Sequence, residues 1–223
     1  MKNTKNYFEN RNRGLKRDLS RGNLALREIN TIKILEKLSE GSFMNVGNSV
    51  VDIGCGDKFL ETAFKKEGLN YYGYDIDDLD IEFDNLPHDK DSIDLIISYA
   101  VIEHLSDPQN MLDEALRCLK PGGSIVISTP NWQYSYKDFF NDYTHVKPYS
   151  PIALRSLLSN NGYEKIYDFP NLRCKSKFAY SNKYKYILAN ARPFTETSKF
   201  SFLIPSFLKG KAKGIFVVAK KPI

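Results

Sequence analysis

A parallel α/β sheet is the fold the sequence predicts, and three observations predict it. The apolar run Val50, Val51 and Ile53 has the pattern of a strand buried on both faces, and it stops at Gly54-Cys55-Gly56. A helical pattern (Phe59, Leu60, Ala63, Phe64) follows at once, and strand-like and helix-like stretches then alternate. Tyr71 to Ile76 reads as a second strand ending in Asp75, about 20 residues beyond the loop, where a carboxylate can bridge two ribose hydroxyls. The two glycines lack the Cβ atoms that would hold a ligand off the main chain. Loop and carboxylate together suit a nucleoside cofactor. The dinucleotide fingerprint also needs a glycine three places after the second one; Phe59 stands there, which counts against NAD or FAD.

Each element has its own signal. Met1 to Gly22 is polar, basic and weakly periodic, the composition of a mobile lead-in. Leu24 to Leu38 carries apolar residues on one helical face and stops near Gly41; this helix either packs on the sheet or caps the cofactor and acceptor. A helix from about Lys58 to Lys66 ends at Gly68. Between Asp75 and Ile93 there is room for one brief strand, around Ile81 to Phe83, and no full crossover helix. Asp84-Asn85-Leu86-Pro87 makes a turn whose carboxylate either meets an adenine amino group or simply starts the turn. Ile93 to Ser98 is a buried strand. Asp107-Pro108 opens a helix that Lys120-Pro121-Gly122-Gly123 ends, and Ser124 to Thr129 is the next strand. Ser150-Pro151 begins a further helix closed by Asn161-Gly162, with strands expected at Glu164 to Phe169 and Ile215 to Ala219.

Composition narrows the function classes. A chain of 223 residues, 42% hydrophobic and 26% charged, fits one soluble domain. The longest apolar run, Ile93 to Ile102, is interrupted by Asp94 and Ser98 and is too short to span a bilayer. The charged start from Lys2 to Arg21 lacks the apolar core of a secretory leader, so the cytoplasm is the expected location. Cys55, Cys118 and Cys174 form neither a disulfide framework nor a metal-ligand pair. A net charge of +5 without an arginine-rich arm or base-stacking motif leaves nucleic acid out of the expected partners.

Several stretches together resemble the class I S-adenosylmethionine-dependent methyltransferases. Val-Val-Asp-Ile-Gly-Cys-Gly (50–56) is similar to their first motif, Tyr-Asp-Ile-Asp (74–77) to the second, and Asp84-Asn85-Leu86-Pro87 before Asp91-Ser92-Ile93-Asp94 to the adenine loop and fourth strand. Val101-Ile102-Glu103-His104-Leu105 and Leu119-Lys120-Pro121-Gly122-Gly123 are similar to the segments that follow, so the likeness runs from Val50 to Gly162. Asp142-Tyr143-Thr144-His145-Val146 with Tyr149-Ser150-Pro151 resembles the branch that holds ubiquinone-type and sugar or polysaccharide O-methyltransferases.

The resemblance implies a Rossmann-like, seven-stranded, mostly parallel sheet with helices on both faces and an antiparallel last strand, here Gly214 to Lys220. It divides the chain into an N-terminal helical cap (1–45), a cofactor core (46–172), an insertion or acceptor lid (173–213) and the last strand (214–223). It implies S-adenosyl-L-methionine as cofactor, held by Asp52, Gly54, Gly56, Asp75, Ile76, Asp84, Asn85, Leu86 and Tyr99. Most of the family has a glycine where this chain has Lys58, which either pairs with the cofactor carboxylate or points to solvent.

A hydroxyl acceptor needs a base, and His145, in a polar aromatic loop, has the side chain suited to proton abstraction near neutrality. The alternative is that its ring only fixes the loop. Glu103 and His104 are two adjacent candidate metal ligands without a third, so no metal is expected, and His104 reads as packing. His88 reads as an exposed turn residue. Aromatics interleaved with lysines from Arg173 to Lys213 suit a sugar, a phosphate-bearing carrier, a peripheral membrane contact or plain packing. The expected activity is O-methylation of a sugar or surface-glycan precursor or another small molecule. A quinone-type phenol acceptor and a non-catalytic binding module that keeps the fold are the alternatives.

Overall fold

A computed structural model describes residues 19–171, 194–195, 209–211 and 213–223. Its main sheet has six strands: β1 (Ser49–Ile53), β2 (Asn70–Tyr74), β3 (Ile93–Tyr99), β4 (Leu119–Pro130), β5 (Glu164–Asn171) and β8 (Gly214–Lys220). Their order is β2-β1-β3-β4-β8-β5. The pairs β1–β2, β1–β3 and β3–β4 are parallel, and β8 lies antiparallel between β4 and β5. The parallel α/β prediction therefore holds, with six strands in place of the expected seven. Two short segments, β6 (Phe194–Thr195) and β7 (Lys209–Lys211), pair with each other outside this sheet.

The missing strand is the one expected at Ile81 to Phe83, which forms turns instead. Carboxylates compete for the main chain there. Asp80 accepts from the Glu82 amide at 3.2 Å, and Asp84 accepts from the Asp80 amide at 2.9 Å, closing the turn by taking up main-chain amides that a strand would need for its ladder.

Strand alternation sends side chains to two cores. One holds Val51, Ile53, Ile96, Ile125 and Val217, covered by α3 (Gln109–Cys118) through Met111 and Leu112 and by α5 (Pro151–Asn160) through Leu154 and Leu158. The other holds Val50, Leu95, Ile97, Val126 and Phe216, covered by α1 (Leu19–Leu38) and by Leu60 and Phe64 around α2 (Glu61–Lys66). α1 lays Ala25, Ile29, Ile32 and Leu35 on that sheet face; Ile29, Ile32 and Leu35 belong to the apolar spacing of the sequence, whereas Leu26 of that spacing is exposed. Val50, Val51 and Ile53 are all but fully buried, each contributing about 1.5–3 kcal/mol.

Local chemistry fixes the boundaries. Ser150 caps α5 by accepting from the Ala153 amide at 3.2 Å, and Pro151 takes the first position. The Lys120–Gly123 stretch, expected to end a helix, lies inside β4, because α3 already stops at Cys118. It forms a bulge between the register pairs Ile93–Leu119 and Leu95–Ser124, held by amide bonds between Gly122 or Gly123 and Lys221. Asp94 joins three strands at their amino ends, accepting from the Ser49 amide at 2.9 Å and from Lys120 Nζ at 2.8 Å. No helix among the described residues is long and apolar enough to cross a membrane.

Candidate active site

The parallel strands bring their carboxyl ends to one edge, so the loops after β1, β2, β3 and β4 meet there. β5 ends and β8 begins at the same edge, where Asn171 pairs with Gly214 and Gly214 with Pro130. The segment between them, including most of the expected 173–213 lid or membrane contact, lies outside the described residues.

The glycine loop is anchored to β2: the Gly54 and Cys55 amides both donate to the Tyr74 carbonyl, at 2.8 and 3.2 Å. Gly54 has φ +75°, and a Cβ there would stand 2.2 Å from Val101 Cγ2, so the loops after β1 and β3 approach too closely for any side chain. Gly56 has φ +55° and faces open space, with no atom within 4 Å of where a Cβ would stand. Lys58 takes the same left-handed backbone at φ +57°, so the turn survives the loss of the glycine. Its half-exposed ammonium lies 4.0 Å from Asp78.

Asp75 joins loop and strand. Its carboxylate accepts from the Gly56 amide at 2.6 Å and from the Ile76 amide at 2.8 Å, while the Ile76 side chain is exposed. An open cradle with an acidic rim fits a nucleoside cofactor. Asp52 lies beneath, 3% exposed, accepting from the Tyr71 hydroxyl at 2.7 Å. Burial pushes its carboxyl up to about 7, the Tyr71 bond opposes this, and Asp75 adds to it. Its place is that of a support under the loop. Burial, with Asp52 and Asp75 nearby, also pushes the Cys55 thiol up to about 12 and leaves it inert.

In the adenine-loop stretch Asp84 and Asn85 are exposed, but Leu86 is a core residue. The Leu86 amide donates to Glu114 at 2.9 Å, and Arg117 donates to the Leu86 and His88 carbonyls at 3.0 and 2.8 Å. Arg117 also meets Glu114 at 2.7 Å and holds its carboxyl below the usual range. This clamp from α3 escaped the sequence reading, where a Glu and an Arg three places apart look like a surface ion pair. His88 is not the exposed turn residue expected: it sits edge-on to Tyr72 and Tyr74, 3.0 Å from the Tyr74 hydroxyl. A cavity of about 500 Å³ beside it, lined by Ser49, Tyr72, Pro87 and Ser92, lies toward the amino ends of β1 and β3, away from the glycine loop. Tyr99, at the end of β3, packs edge-on against Phe216.

The loop after β4, which carries α4 (Trp132–Ser135), folds back onto the loop after β3. The Val146 and Lys147 amides donate to the Glu103 carbonyl at 2.9 and 3.1 Å, which brings His145 against His104 with ring centroids 4.8 Å apart. His145 Nδ1 lies 2.7 Å from the Phe139 carbonyl and His104 Nδ1 lies 3.1 Å from the Thr144 carbonyl. A carbonyl only accepts, so both Nδ1 atoms carry hydrogen, and in the neutral form of either ring the lone pair is on Nε2. Glu103 is fully buried. Its Oε2 accepts from the Thr129 hydroxyl at 2.9 Å, and its Oε1 has no hydrogen-bond partner. Burial pushes its carboxyl up to about 7 against the opposing pull of its own amide and Thr129, with Asp142 nearby adding to the rise. Beside the histidines Trp132, Phe139 and Phe140 meet edge to face, and Phe140 and Tyr143 are more than half exposed.

A methyltransferase-domain family model matches residues 13–167. A "Probable S-adenosylmethionine-dependent methyltransferase" of Mycolicibacterium smegmatis is 28% identical over 136 residues, covering 53% of this chain and 52% of its own length. An uncharacterized methyltransferase of Mycobacterium tuberculosis is 31% identical over 104 residues, 39% and 41% of the two chains. The chain thus spans about half or less of these curated relatives. Among solved structures, a SAM-dependent methyltransferase of Archaeoglobus fulgidus superposes with a TM-score of 0.58 at 21% identity, covering 85% of this chain and 99% of that one. A phosphoethanolamine N-methyltransferase 2 of Haemonchus contortus gives 0.55 at 17% identity, covering 86% and 52%. These two likenesses show the fold. With the glycine loop, Asp75 and the family match in agreement, the chain belongs to the class I S-adenosylmethionine-dependent methyltransferases.

Proposed function

We propose that the chain is a methyltransferase of hydroxyl acceptors, a sugar or glycan precursor or a related small molecule. The observation that carries this reading is the fixed tautomer of His145: Nδ1–H donates to the Phe139 carbonyl, which leaves Nε2 as a proton acceptor in the loop beside the glycine edge. An alcohol needs such a base and a free amine does not. When bound, S-adenosylmethionine supplies an electrophilic methyl carbon on a sulfonium. Asp75, Gly54 and Gly56 would hold the cofactor, with Asp84 and Asn85 at its adenine end. The protein's own contribution is to orient the acceptor, exclude water and take its proton at His145 Nε2. Trp132, half-buried, and Phe140, exposed, offer ring faces to the apolar side of a sugar, with the buried Phe139 packed behind them. The same faces accept a phenol, which makes quinone-type phenols the second reading.

The test is calorimetric titration of S-adenosylhomocysteine, followed by labelled methyl transfer to sugar, phenol and amine panels with wild-type protein and His145→Ala. Binding with transfer to a hydroxyl, lost in His145→Ala, is expected. Full turnover by His145→Ala removes the base assignment, and transfer confined to amines removes the acceptor class. Binding without transfer to any acceptor would favour a non-catalytic module.

A further inference from the structure

β2 is an end strand of the main sheet, and the chain that follows it forms turns rather than a strand that could cover it. Its register shows which main-chain groups are left over. The Asn70 amide donates to the Asn48 carbonyl and the Tyr74 carbonyl accepts from the Gly54 amide, so Asn70, Tyr72 and Tyr74 turn their main-chain groups toward β1. Tyr71 and Gly73, between them, turn theirs outward, and no other strand among the described residues pairs with them. Natural sheets blunt such an edge with lysine, proline or a bulge. β2 has none of these: it reads Asn-Tyr-Tyr-Gly-Tyr in unbroken register, and Tyr72 is 42% exposed.

Charge and register point to one occupant, a second copy of the chain. α2 leads into β2 with Lys65 and Lys66, and Asp75, Asp77, Asp78 and Asp80 follow it. Two copies running antiparallel bring each basic end to the acidic end of the other, whereas a parallel neighbour would set like charges together. The free groups fix the axis. The Leu69 amide is given to the Phe64 carbonyl at 3.1 Å and the Asp75 amide to the Asp78 carboxylate at 3.4 Å, so neither can extend the ladder. An axis at Tyr72 pairs Tyr71 with Gly73 of the second copy and Gly73 with its Tyr71, which uses every outward group of the strand.

We propose that the chain forms a homodimer by antiparallel β2 to β2 pairing about a two-fold axis at Tyr72, which joins the two six-stranded sheets into one continuous sheet. Tyr72 then faces its own copy as a non-hydrogen-bonded pair with Cα atoms about 4.5 Å apart, an aromatic contact that accounts for its exposure in the single chain. The cavity lined by Tyr72, Pro87 and His88 gives the incoming ring room on the same face. In this register Lys66, which is exposed, comes opposite Asp78 of the second copy. α2 lies over β2, where Phe64 stacks on Tyr71 with centroids 5.8 Å apart, so the two α2 helices flank the axis on the other face. The inference is independent of which acceptor the chain methylates.

Sedimentation equilibrium of the full chain, from about 1 to 100 µM, reads the mass. The expected result is twice 25.6 kDa at the upper end, falling toward the single chain on dilution. Tyr72→Lys, which sets two like charges on the axis, weakens association at least about tenfold. Lys66→Asp weakens it too, and adding Asp78→Lys to the same chain restores it, which damage to the fold would not do. Cross-linking reads the register, with diamide as oxidant and Cys174→Ser as background, Cys55 and Cys118 being buried. Tyr72→Cys joins two chains, because its Cα atoms lie within disulfide reach, whereas Asn70→Cys, whose counterpart lies about 14 Å away, does not. A single-chain mass at about 100 µM, a dimer that Tyr72→Lys leaves intact, or cross-linking by Asn70→Cys and not by Tyr72→Cys overturns the proposal.

Discussion

Asp52→Asn makes the folded state more resistant to a rise from acid to neutral pH, by an amount that follows from where the carboxyl sits. Burial raises it from its ordinary value of 3.8 to about 7. Below about pH 4 folded and unfolded chains both hold the proton and nothing is lost. As pH rises, the unfolded chain releases its proton first, so stability falls until the folded carboxyl also ionises, near pH 7, and then levels. The full loss is on the order of 4 kcal/mol, and the part between pH 5 and 8 is about 3 kcal/mol. Asparagine has the same shape, its Oδ1 still accepts from the Tyr71 hydroxyl, and it has no proton to lose. Urea unfolding of both proteins at pH 5, 6, 7 and 8 gives the difference in stability at each pH. The variant is expected to gain about 3 kcal/mol on wild type across that range. The raised Glu103 and the lowered His88 shift the absolute curves of both proteins and cancel in the difference. Parallel curves, with a constant gap from pH 5 to 8, would mean that Asp52 is not held protonated under the loop.

Three further outcomes test the rest of the site. Asp75→Ala weakens S-adenosylhomocysteine binding by about 1.5–3 kcal/mol, the scale of bonds to a charged group, and unchanged affinity in calorimetry would remove Asp75 from the cofactor site. Gly54→Ala destabilises by about 2–4 kcal/mol in urea unfolding, from the Val101 overlap and the positive φ together; Val101→Ala in the same chain recovers only the overlap, and no loss in the single variant would refute the close approach. Arg117→Met costs about 1–3 kcal/mol because Glu114 and two loop carbonyls lose their partner, and amide exchange around Leu86 and His88 speeds up; protection equal to wild type would show that the loop holds without the clamp.

The sheet was legible because its determinants are local. Val50, Val51 and Ile53 announce a strand buried on both faces, Ser150-Pro151 announces a capped helix, and each is satisfied within its own few residues. Ile81 to Phe83 shows where that logic fails. Its apolar residues fit a strand, but Asp80 and Asp84 close the main chain into a turn, a choice made by side-chain bonds that hydropathy does not register. His88 failed for a different reason. Nothing near it in sequence foretells Tyr72 and Tyr74 on either side, since the strand that carries them is brought there by the sheet.

The same distinction separates the two halves of the site. The cofactor half is compact in sequence: the glycine loop and Asp75 lie on adjacent parallel strands, so spacing alone places a carboxylate over a turn, and the Gly56 amide meets it at 2.6 Å. The proposed acceptor half is assembled across about 40 residues by one tertiary event, the docking of the Val146 and Lys147 amides on the Glu103 carbonyl. Without that docking Glu103-His104 is a pair lacking a third ligand and His145 a lone histidine, so the sequence supports only a base on one side and packing on the other. The loop after β4 brings His145 and Asp142 to a Glu103 that already has His104 beside it in sequence, and Asp142 adds to the rise of the buried carboxyl. A variant that undocks the loop without touching Glu103, His104 or His145 should therefore return the Glu103 carboxyl toward its ordinary range and abolish activity together.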